Sequence, residues 1–312
     1  MTAILFAGAV FSPRYARRLR HGCREPGLLH PAVHVSFLAL ERDRVRPLAW
    51  VMNEHSPTSL RPLPGGLAVS ASCLRVRQDG AVAVDLAERT TRFFGRAGVP
   101  LRLRALLRPS LPPGPTQLLS PPGEPPHSWE PRVPAGRAQV EIDLAGRVYR
   151  FCGPGYHDHN HGAGRLEDCF RTWSWAHGTS PEGDVGVVLY AVRWRAGGGR
   201  GLVLQEDGTV LAYASLDGPG THGQGPLGPP PPGGHWLRVP AGFCVGEWTC
   251  MRQPGVLLDA PFYARYRANL LHKAGTATRY EGIGEYLDLD RFRRPAIQFL
   301  LRYRTRQVRN ET

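Results

Sequence analysis

The sequence has almost no lysine, and it lacks the motifs by which most nucleic-acid and nucleotide binding proteins are recognised. All but Lys273 of its 39 basic residues are arginine, and 26 residues are acidic, which gives a formal net charge of +13. Such an excess indicates a nucleic acid or an anionic membrane surface as partner, or reflects only the base composition of the gene. Zinc-finger spacing, RNP-like motifs and Gly-rich phosphate loops are absent. We therefore expect no nucleic-acid partner.

Long apolar runs and paired cysteines are missing as well. The apolar segment over residues 1–11 is too short to span a bilayer and lacks the basic start of an export signal. No two cysteines form a CxxC pair, so we expect reduced thiols. Together with the arginine excess, this predicts a cytoplasmic protein in peripheral contact with the inner membrane. The cysteines are Cys23, Cys73, Cys152, Cys169, Cys244 and Cys250.

Glycine and proline, by contrast, are plentiful, with 37 and 30 residues. Many short alternating segments separated by turns favour an all-β chain, and a meander of this kind suits a barrel or a sandwich. The proline-rich segment over 111–126 is the clearest linker. We therefore predict two domains, 1–125 and 126–312, with a Gly/Pro-rich surface loop over 218–234.

The densest polar motif is Gly153-Pro-Gly-Tyr-His-Asp-His-Asn-His-Gly162. In an extended strand Tyr156, Asp158 and Asn160 share one face, and the three interleaved histidines share the other. The aromatic run over 170–175 follows closely. An acid between strands and flanked by Tyr and Trp suggests a carboxyl held in an apolar cavity. The competing interpretation is an aspartate that caps a turn beside Gly and Asn.

Eight segments stand in the same order as in one known family: 4–16, 30–35, 49–54, 127–134, 155–162, 166–175, 258–265 and 289–292. Through them the chain resembles, from end to end, the carotenoid 1,2-hydratases, also called hydroxyneurosporene synthases. The resemblance implies two tandem lipocalin-like β-barrels, the second carrying the catalytic motif. It also implies cofactor-free and metal-free addition of water to the terminal C=C bond of an acyclic carotenoid of lycopene or neurosporene type. Asp158 would be the proton donor, supported by Tyr156, His127 and Trp129.

The chemistry of such a reaction fits these residue types. A carboxylic acid protonates an alkene only if it is neutral at working pH, which burial favours. The tertiary cation that results is stabilised by aromatic faces, for which Trp129 and Tyr156 are candidates. His127 or Asn160 would place the water. A polyene needs an apolar tunnel, inside one barrel or at the seam between two. We expect substrate contacts from Asn160, Phe151, Trp173 and Trp175.

Several alternatives remain open at this stage. His157, His159 and His161 could converge on a metal ion, although no partner at fixed spacing completes a site, so we expect none. The chain could instead be a lipocalin-like carrier, or a barrel enzyme acting on another terpenoid or a polyketide. Glu54 and Asp259 are expected to be structural ion-pair partners. The family opens with an aromatic-rich strand before Phe-Ser-Pro, so either the first barrel lacks that strand or the protein starts further upstream.

Overall fold

The computed structural model describes residues 1–8, 10–22, 27–41, 44–180, 185–213, 235–237, 239–273 and 279–308. Cys23 and the whole loop predicted over 218–234 lie outside these ranges. Strands dominate the described chain, and its four α-helices are short. In chain order the strands are β1 (Thr2–Phe6), β2 (Ala32–Glu41), β3 (Arg44–Glu54), β4 (Leu60–Leu63), β5 (Gly66–Val69), β6 (Ser72–Val76), β7 (Val82–Thr91), β8 (Ala97–Pro109), β9 (Gln117–Leu118), β10 (His127–Leu144), β11 (Arg147–Gly162), β12 (Phe170–Thr179), β13 (Gly186–Trp194), β14 (Gly199–Leu204), β15 (Val210–Tyr213), β16 (Gly242–Val245), β17 (Trp248–Asp259), β18 (Tyr263–His272), β19 (Arg279–Asp288) and β20 (Arg306–Gln307). The helices are α1 (Pro13–Arg20), α2 (Leu166–Cys169), α3 (Leu289–Phe292) and α4 (Pro295–Leu301).

The chain forms two compact units, and unit 1 comprises Met1–Arg108, Ala138–Gly153 and Gln298–Thr312. One of its sheets has the order β1-β2-β3-β20, and a second runs through β8, β7, β6, β5 and β4. Strand β8 shows why the sequence folds this way, since Leu101 and Leu103 are buried and Arg102 and Arg104 are exposed. Alternation with a period of two puts leucine in the core and arginine in water.

Unit 2 comprises Pro109–Arg137 and Pro154–Ile297. Its eight-stranded sheet has the order β15-β14-β13-β12-β19-β18-β17-β16, and all neighbouring strands are antiparallel. The sheet curls until β16 lies against β13 and β14, which nearly closes a barrel. Its apolar core includes Ala176, Leu189 and Tyr266. The prediction of an all-β chain built from two lipocalin-like β units is confirmed.

Strands β10 and β11 form a long hairpin that passes from one unit to the other. Its turn places Ala145 at φ 54° and Gly146 at φ 88°, the left-handed pair of a type I′ turn, which matches the twist of the flanking strands. The units are therefore interleaved along the chain, whereas the sequence suggests a single division at residue 125. That division stays a prediction.

Two further sequence expectations concern the membrane and the thiols. Among the helices of the described ranges, none combines the length and the apolar character that crossing a bilayer requires.

Five cysteines lie in the described ranges, and all five are free thiols: Cys73, Cys152, Cys169, Cys244 and Cys250.

Candidate active site

The end of β11 presents its motif residues alternately on two faces. On one face the Tyr156 hydroxyl donates to Asp158 Oδ2 at 3.0 Å, and Asn160 Nδ2 donates to the same oxygen at 3.1 Å. On the other face the rings of His159 and His161 lie 4.9 Å apart. The alternation predicted from the sequence is confirmed, and it makes Asp158 the centre of a small polar cluster.

Trp129 on β10 completes the polar cluster around Asp158. Its indole Nε1 donates to Asp158 Oδ2 at 3.1 Å and to the Tyr156 hydroxyl at 3.0 Å, and the side chain is fully buried. Three donors therefore converge on Oδ2. Within the described part of the chain, no hydrogen bond ends on Oδ1, so that oxygen is the one available to carry a proton toward a ligand.

The environment of Asp158 makes its carboxyl easier to protonate than that of an ordinary aspartate. Burial is the main cause, and with the negative charge of Glu285 it raises the pKa of Asp158 to about 6. The donors Tyr156, Asn160 and Trp129 act in the opposite direction because they stabilise the carboxylate. The side chain keeps some accessible surface. Asp158 is thus densely surrounded by protein without being fully buried.

An aromatic wall from the sheet of unit 2 packs against this cluster. Trp175 lies on β12 with its ring 5.2 Å from that of Tyr156, and Tyr190 on β13 lies 5.0 Å from Trp129. The Tyr190 hydroxyl donates to Asn160 Oδ1 at 3.0 Å. Since successive side chains on a strand point to opposite faces, these rings lie on the face opposite Ala176, part of the barrel core. The cluster is therefore outside that core.

An ion pair between buried Arg265 and half-buried Glu285 lies in the same cross-strand row as Trp175. Glu285 on β19 pairs in register with both Trp175 and Arg265. The Arg265 guanidinium donates to Glu285 Oε1 at 2.8 Å through Nε, and the carboxylate raises the pKa of Arg265. The sequence patterns do not reveal Glu285 and Tyr190 as part of the site. Their strands are recognisable, but only the register brings them beside residues that are far away in sequence.

His127 is buried beside aromatic rings and is neutral. Burial and the nearby His161 lower its pKa to about 4. Its ring packs edge-on against Phe170 and Trp173 at 5.6 and 5.3 Å, and it lines a cavity of about 90 Å³. Its Nε2 atom is buried and has no hydrogen-bond partner in the described chain. The structure shows no hydrogen bond between His127 and Asp158 among those residues.

The expected substrate contacts lie in different places. Asn160, Trp173 and Trp175 belong to unit 2, and Trp173 contacts both His127 and Tyr190. Phe151 belongs to unit 1, where it stacks on Phe37 at 6.0 Å. The roles expected for these four side chains stay predictions, and for Phe151 the ring contact with Phe37 gives a structural reason for its presence.

The histidine face of β11 has an acidic neighbour that the sequence did not reveal. Ligand atoms of Glu130, His159 and His161 lie within 4.8 Å of one another, which is compatible with a metal ion. However, the Glu130 carboxylate is already paired with Arg132, whose positive charge opposes a cation. His157 is half-buried, and burial lowers its pKa to about 4. The expectation that no metal binds here therefore stays a prediction.

Comparison with known sequences gives matches to carotenoid hydratases. A family model described as Carotenoid hydratase CrtC matches residues 3–222. The acyclic carotenoid 1,2-hydratase of Thiocapsa roseopersicina is 33% identical over 319 residues, covering 99% of this chain and 69% of that protein. The protein of the same name from Rubrivivax gelatinosus is 29% identical over 291 residues, covering 89% of this chain and 63% of its own length. The chain thus spans about two thirds of the length of these two relatives.

Comparison with solved structures concerns the fold alone, because the identities are low. A protein assigned as AttH from Nitrosomonas europaea superposes with a TM-score of 0.56 at 11% identity, over 83% of this chain and 82% of that one. Kievitone hydratase from Nectria haematococca gives a TM-score of 0.50 at 8% identity, over 84% of this chain and 82% of the other. The lipocalin-like architecture is shared with these proteins.

Proposed function

The chain belongs to the carotenoid hydratase CrtC family, and from this premise we propose that it adds water across the terminal C=C bond of an acyclic carotenoid of the lycopene or neurosporene type. The relatives named acyclic carotenoid 1,2-hydratase support this substrate class. Addition of water involves no net oxidation or reduction, so the reaction needs no redox cofactor. The observation that carries the proposal is the Asp158 carboxyl, which is enclosed by protein and hydrogen-bond donors and whose pKa is raised by burial to about 6.

In the proposed reaction, protonated Asp158 transfers its proton to the less substituted alkene carbon, and the π electrons form the new C–H bond. The neighbouring carbon becomes a tertiary cation. Water attacks this cation, and the proton that water loses returns to the Asp158 carboxylate. With a pKa of about 6, roughly one Asp158 carboxyl in ten is neutral at pH 7, which supports a proton donor that is regenerated at each turnover.

The side chains around Asp158 support the later steps. The Tyr156 ring, packed on Trp175 at 5.2 Å, presents a face to the cation, which is worth about 1–2 kcal/mol when water is excluded. Trp129 is fully buried, so its proposed part is to hold Asp158 and Tyr156 through its N–H and to contribute its ring only at short range. Asn160 is held by Tyr190 and Asp158 and is proposed to orient the water. The buried Nε2 atom of neutral His127 is available to hold water beside it.

The proposed location follows from the substrate. An acyclic carotenoid dissolves in the bilayer, so the enzyme is proposed to work from the cytoplasm in peripheral contact with the inner membrane. The net charge of +13 supports attraction to anionic lipid.

The decisive experiment expresses the chain in a host that accumulates lycopene, beside the variant Asp158→Asn. We expect hydroxylated product from the parent and a loss of at least about 100-fold from the variant, since a general acid contributes about 10²–10⁴. Products are separated by chromatography and identified by mass. The matched control is Asp207→Asn, which changes an exposed turn aspartate bonded to Thr209.

Three other results would contradict parts of the proposal. Undiminished product from Asp158→Asn would remove Asp158 as the proton donor. Absence of product from folded parent protein with lycopene and with neurosporene would reject the substrate class. Tight polyene binding without turnover would favour a carrier instead.

A further inference from the structure

Four aromatic rings form an exposed group on the surface of unit 1, which we call the aromatic patch: Phe93, Phe94, Phe299 and Tyr303. The three phenylalanines are 62%, 64% and 50% exposed. Tyr303 lies at the centre, with ring distances of 5.6, 4.9 and 5.3 Å to Phe93, Phe94 and Phe299. Single exposed apolar residues are common in proteins, but a contiguous exposed aromatic group marks an interaction surface.

The turn that carries Phe93 and Phe94 has an unfavourable backbone conformation. Phe94 has φ 62°, a left-handed conformation that bulky residues rarely adopt. The neighbouring Gly95 has φ 64°, and its N–H donates to the Tyr303 carbonyl at 3.2 Å. A Cβ on Gly95 would lie 2.6 Å from the Thr305 carbonyl oxygen, so the turn is pressed against the C-terminal segment. The fold thus maintains a strained turn whose two phenyl rings face water.

The charges beside the aromatic patch are positive. Arg92 and Arg96 flank the turn, and Arg302 lies with its guanidinium 6.0 Å from the Phe299 ring centre. All three side chains are exposed, and in the described chain none of them forms an ion pair with an acid. Aromatic rings surrounded by unpaired arginine complement an interface of acyl chains and anionic headgroups.

We infer that the aromatic patch, Phe93, Phe94, Phe299 and Tyr303, inserts into the headgroup region of a bilayer containing anionic lipid, with Arg92, Arg96 and Arg302 contacting the phosphates. The inference deepens the proposed function, because it identifies the surface through which an enzyme with a bilayer-dissolved substrate reaches its membrane.

The test measures binding of the full chain to vesicles by sedimentation, without any carotenoid. Vesicles of equal parts phosphatidylglycerol and phosphatidylcholine are compared with phosphatidylcholine alone. The parent is expected to bind the anionic vesicles, more weakly as salt is raised, and the double variant Phe93→Ser/Phe94→Ser to bind at least about tenfold more weakly. Met251→Ser, which changes an exposed apolar residue of unit 2, is the control and should bind like the parent.

A second variant separates membrane binding from folding. Glycine adopts φ 62° without strain, so Phe94→Gly is expected to raise or preserve the thermal midpoint while weakening vesicle binding. A purely structural role for this ring predicts a lower midpoint and unchanged binding, and that result would overturn the inference. Failure of the parent to bind anionic vesicles would overturn it as well. So would dimerisation of the vesicle-free parent that Phe93→Ser/Phe94→Ser abolishes, since the occupant would then be a second copy of the chain.

The proposed function is tested separately with carotenoid in detergent micelles. Vesicle binding without hydration would reject the hydratase and leave the docking surface standing. Hydration in micelles by a chain that does not bind vesicles would reject the docking surface alone.

Discussion

The Asp158 carboxyl is subject to two opposing influences on its proton. Burial and Glu285 favour the neutral acid, and three donors on Oδ2 favour the carboxylate. Burial prevails, so the pKa lies near 6, above the ordinary value of 3.8. Because the proposed donor is the neutral form, we expect hydration to decline as pH rises through about 6, measured as kcat/KM over a pH series on stable protein.

Removing one donor should move this pH dependence in a defined direction. Tyr156→Phe deletes the hydroxyl that donates to Asp158 Oδ2 at 3.0 Å and stabilises the carboxylate. We therefore expect the declining limb to move to higher pH, together with a lower maximal rate because the carboxyl is held less firmly. Tyr149→Phe in unit 1 is the control. A limb that moves to lower pH would contradict the role given to the Tyr156 hydroxyl.

The raised pKa of Asp158 also predicts how the variant Asp158→Asn affects stability. A carboxyl whose pKa is raised in the folded state costs stability as pH rises from its unfolded value toward the folded one. At neutral pH that cost is fully present, so replacing the acid by a neutral amide removes it. We expect the thermal midpoint of Asp158→Asn to be no lower than that of the parent. A collapse of the fold would mean that the carboxylate is needed structurally.

Sequence patterns predict the arrangement within one strand much better than the arrangement between strands. The alternation of β11 puts Tyr156, Asp158 and Asn160 together, because only the period of two is required. By contrast, Tyr190 and Glu285 reach the cluster through the register of β12 with β13 and β19. That register depends on packing over the whole sheet, which no local pattern contains.

At the scale of the strands, Glu285 on β19 is a positioning residue, because its negative charge raises the pKa of Asp158. Glu285→Gln removes a negative charge that raises the Asp158 pKa and takes the carboxylate of the ion pair away from buried Arg265. Both changes favour the carboxylate, so we expect the declining limb of the pH profile to move to lower pH, opposite to Tyr156→Phe. Loss of the pair should also cost about 2–4 kcal/mol in urea unfolding.

The matched control is the exposed cross-strand pair of Arg150 and Glu141, joined at 2.7 Å. Glu141→Gln should cost no more than about 1 kcal/mol and leave the pH profile in place, because water screens exposed pairs. Equal effects of Glu285→Gln and Glu141→Gln on stability and on the pH profile would show that Glu285 does not act specifically on Asp158.

At the scale of the whole molecule, one buried carboxylate connects segments from opposite ends of the chain. Glu54 on β3 accepts from Ser12 at 2.8 Å and from Gln307 at 3.0 Å, and it lies 2.7 Å from His30 Nδ1. The sequence correctly predicts that Glu54 is a structural ion-pair partner. Its partners could not be predicted, since Gln307 is 253 positions away.

This network gives the stability of the chain a defined pH dependence. Burial alone would raise the pKa of Glu54, but the bonds from His30, Gln307 and Ser12 outweigh it, and the pKa falls below 4.5. A lowered carboxyl pKa stabilises the fold fully above the unfolded value, and this contribution disappears as pH falls through the folded one. We expect Glu54→Gln to cost about 3 kcal/mol in urea unfolding at pH 7, because it leaves buried donors poorly paired. The cost should become progressively smaller as pH falls below the ordinary carboxyl pKa of 4.5. Glu206→Gln, at an exposed position, is the control and should change the free energy of unfolding neither at pH 7 nor at low pH. A cost for Glu54→Gln that stays constant down to low pH would show that the carboxylate charge does not stabilise the contact between the two ends of the chain.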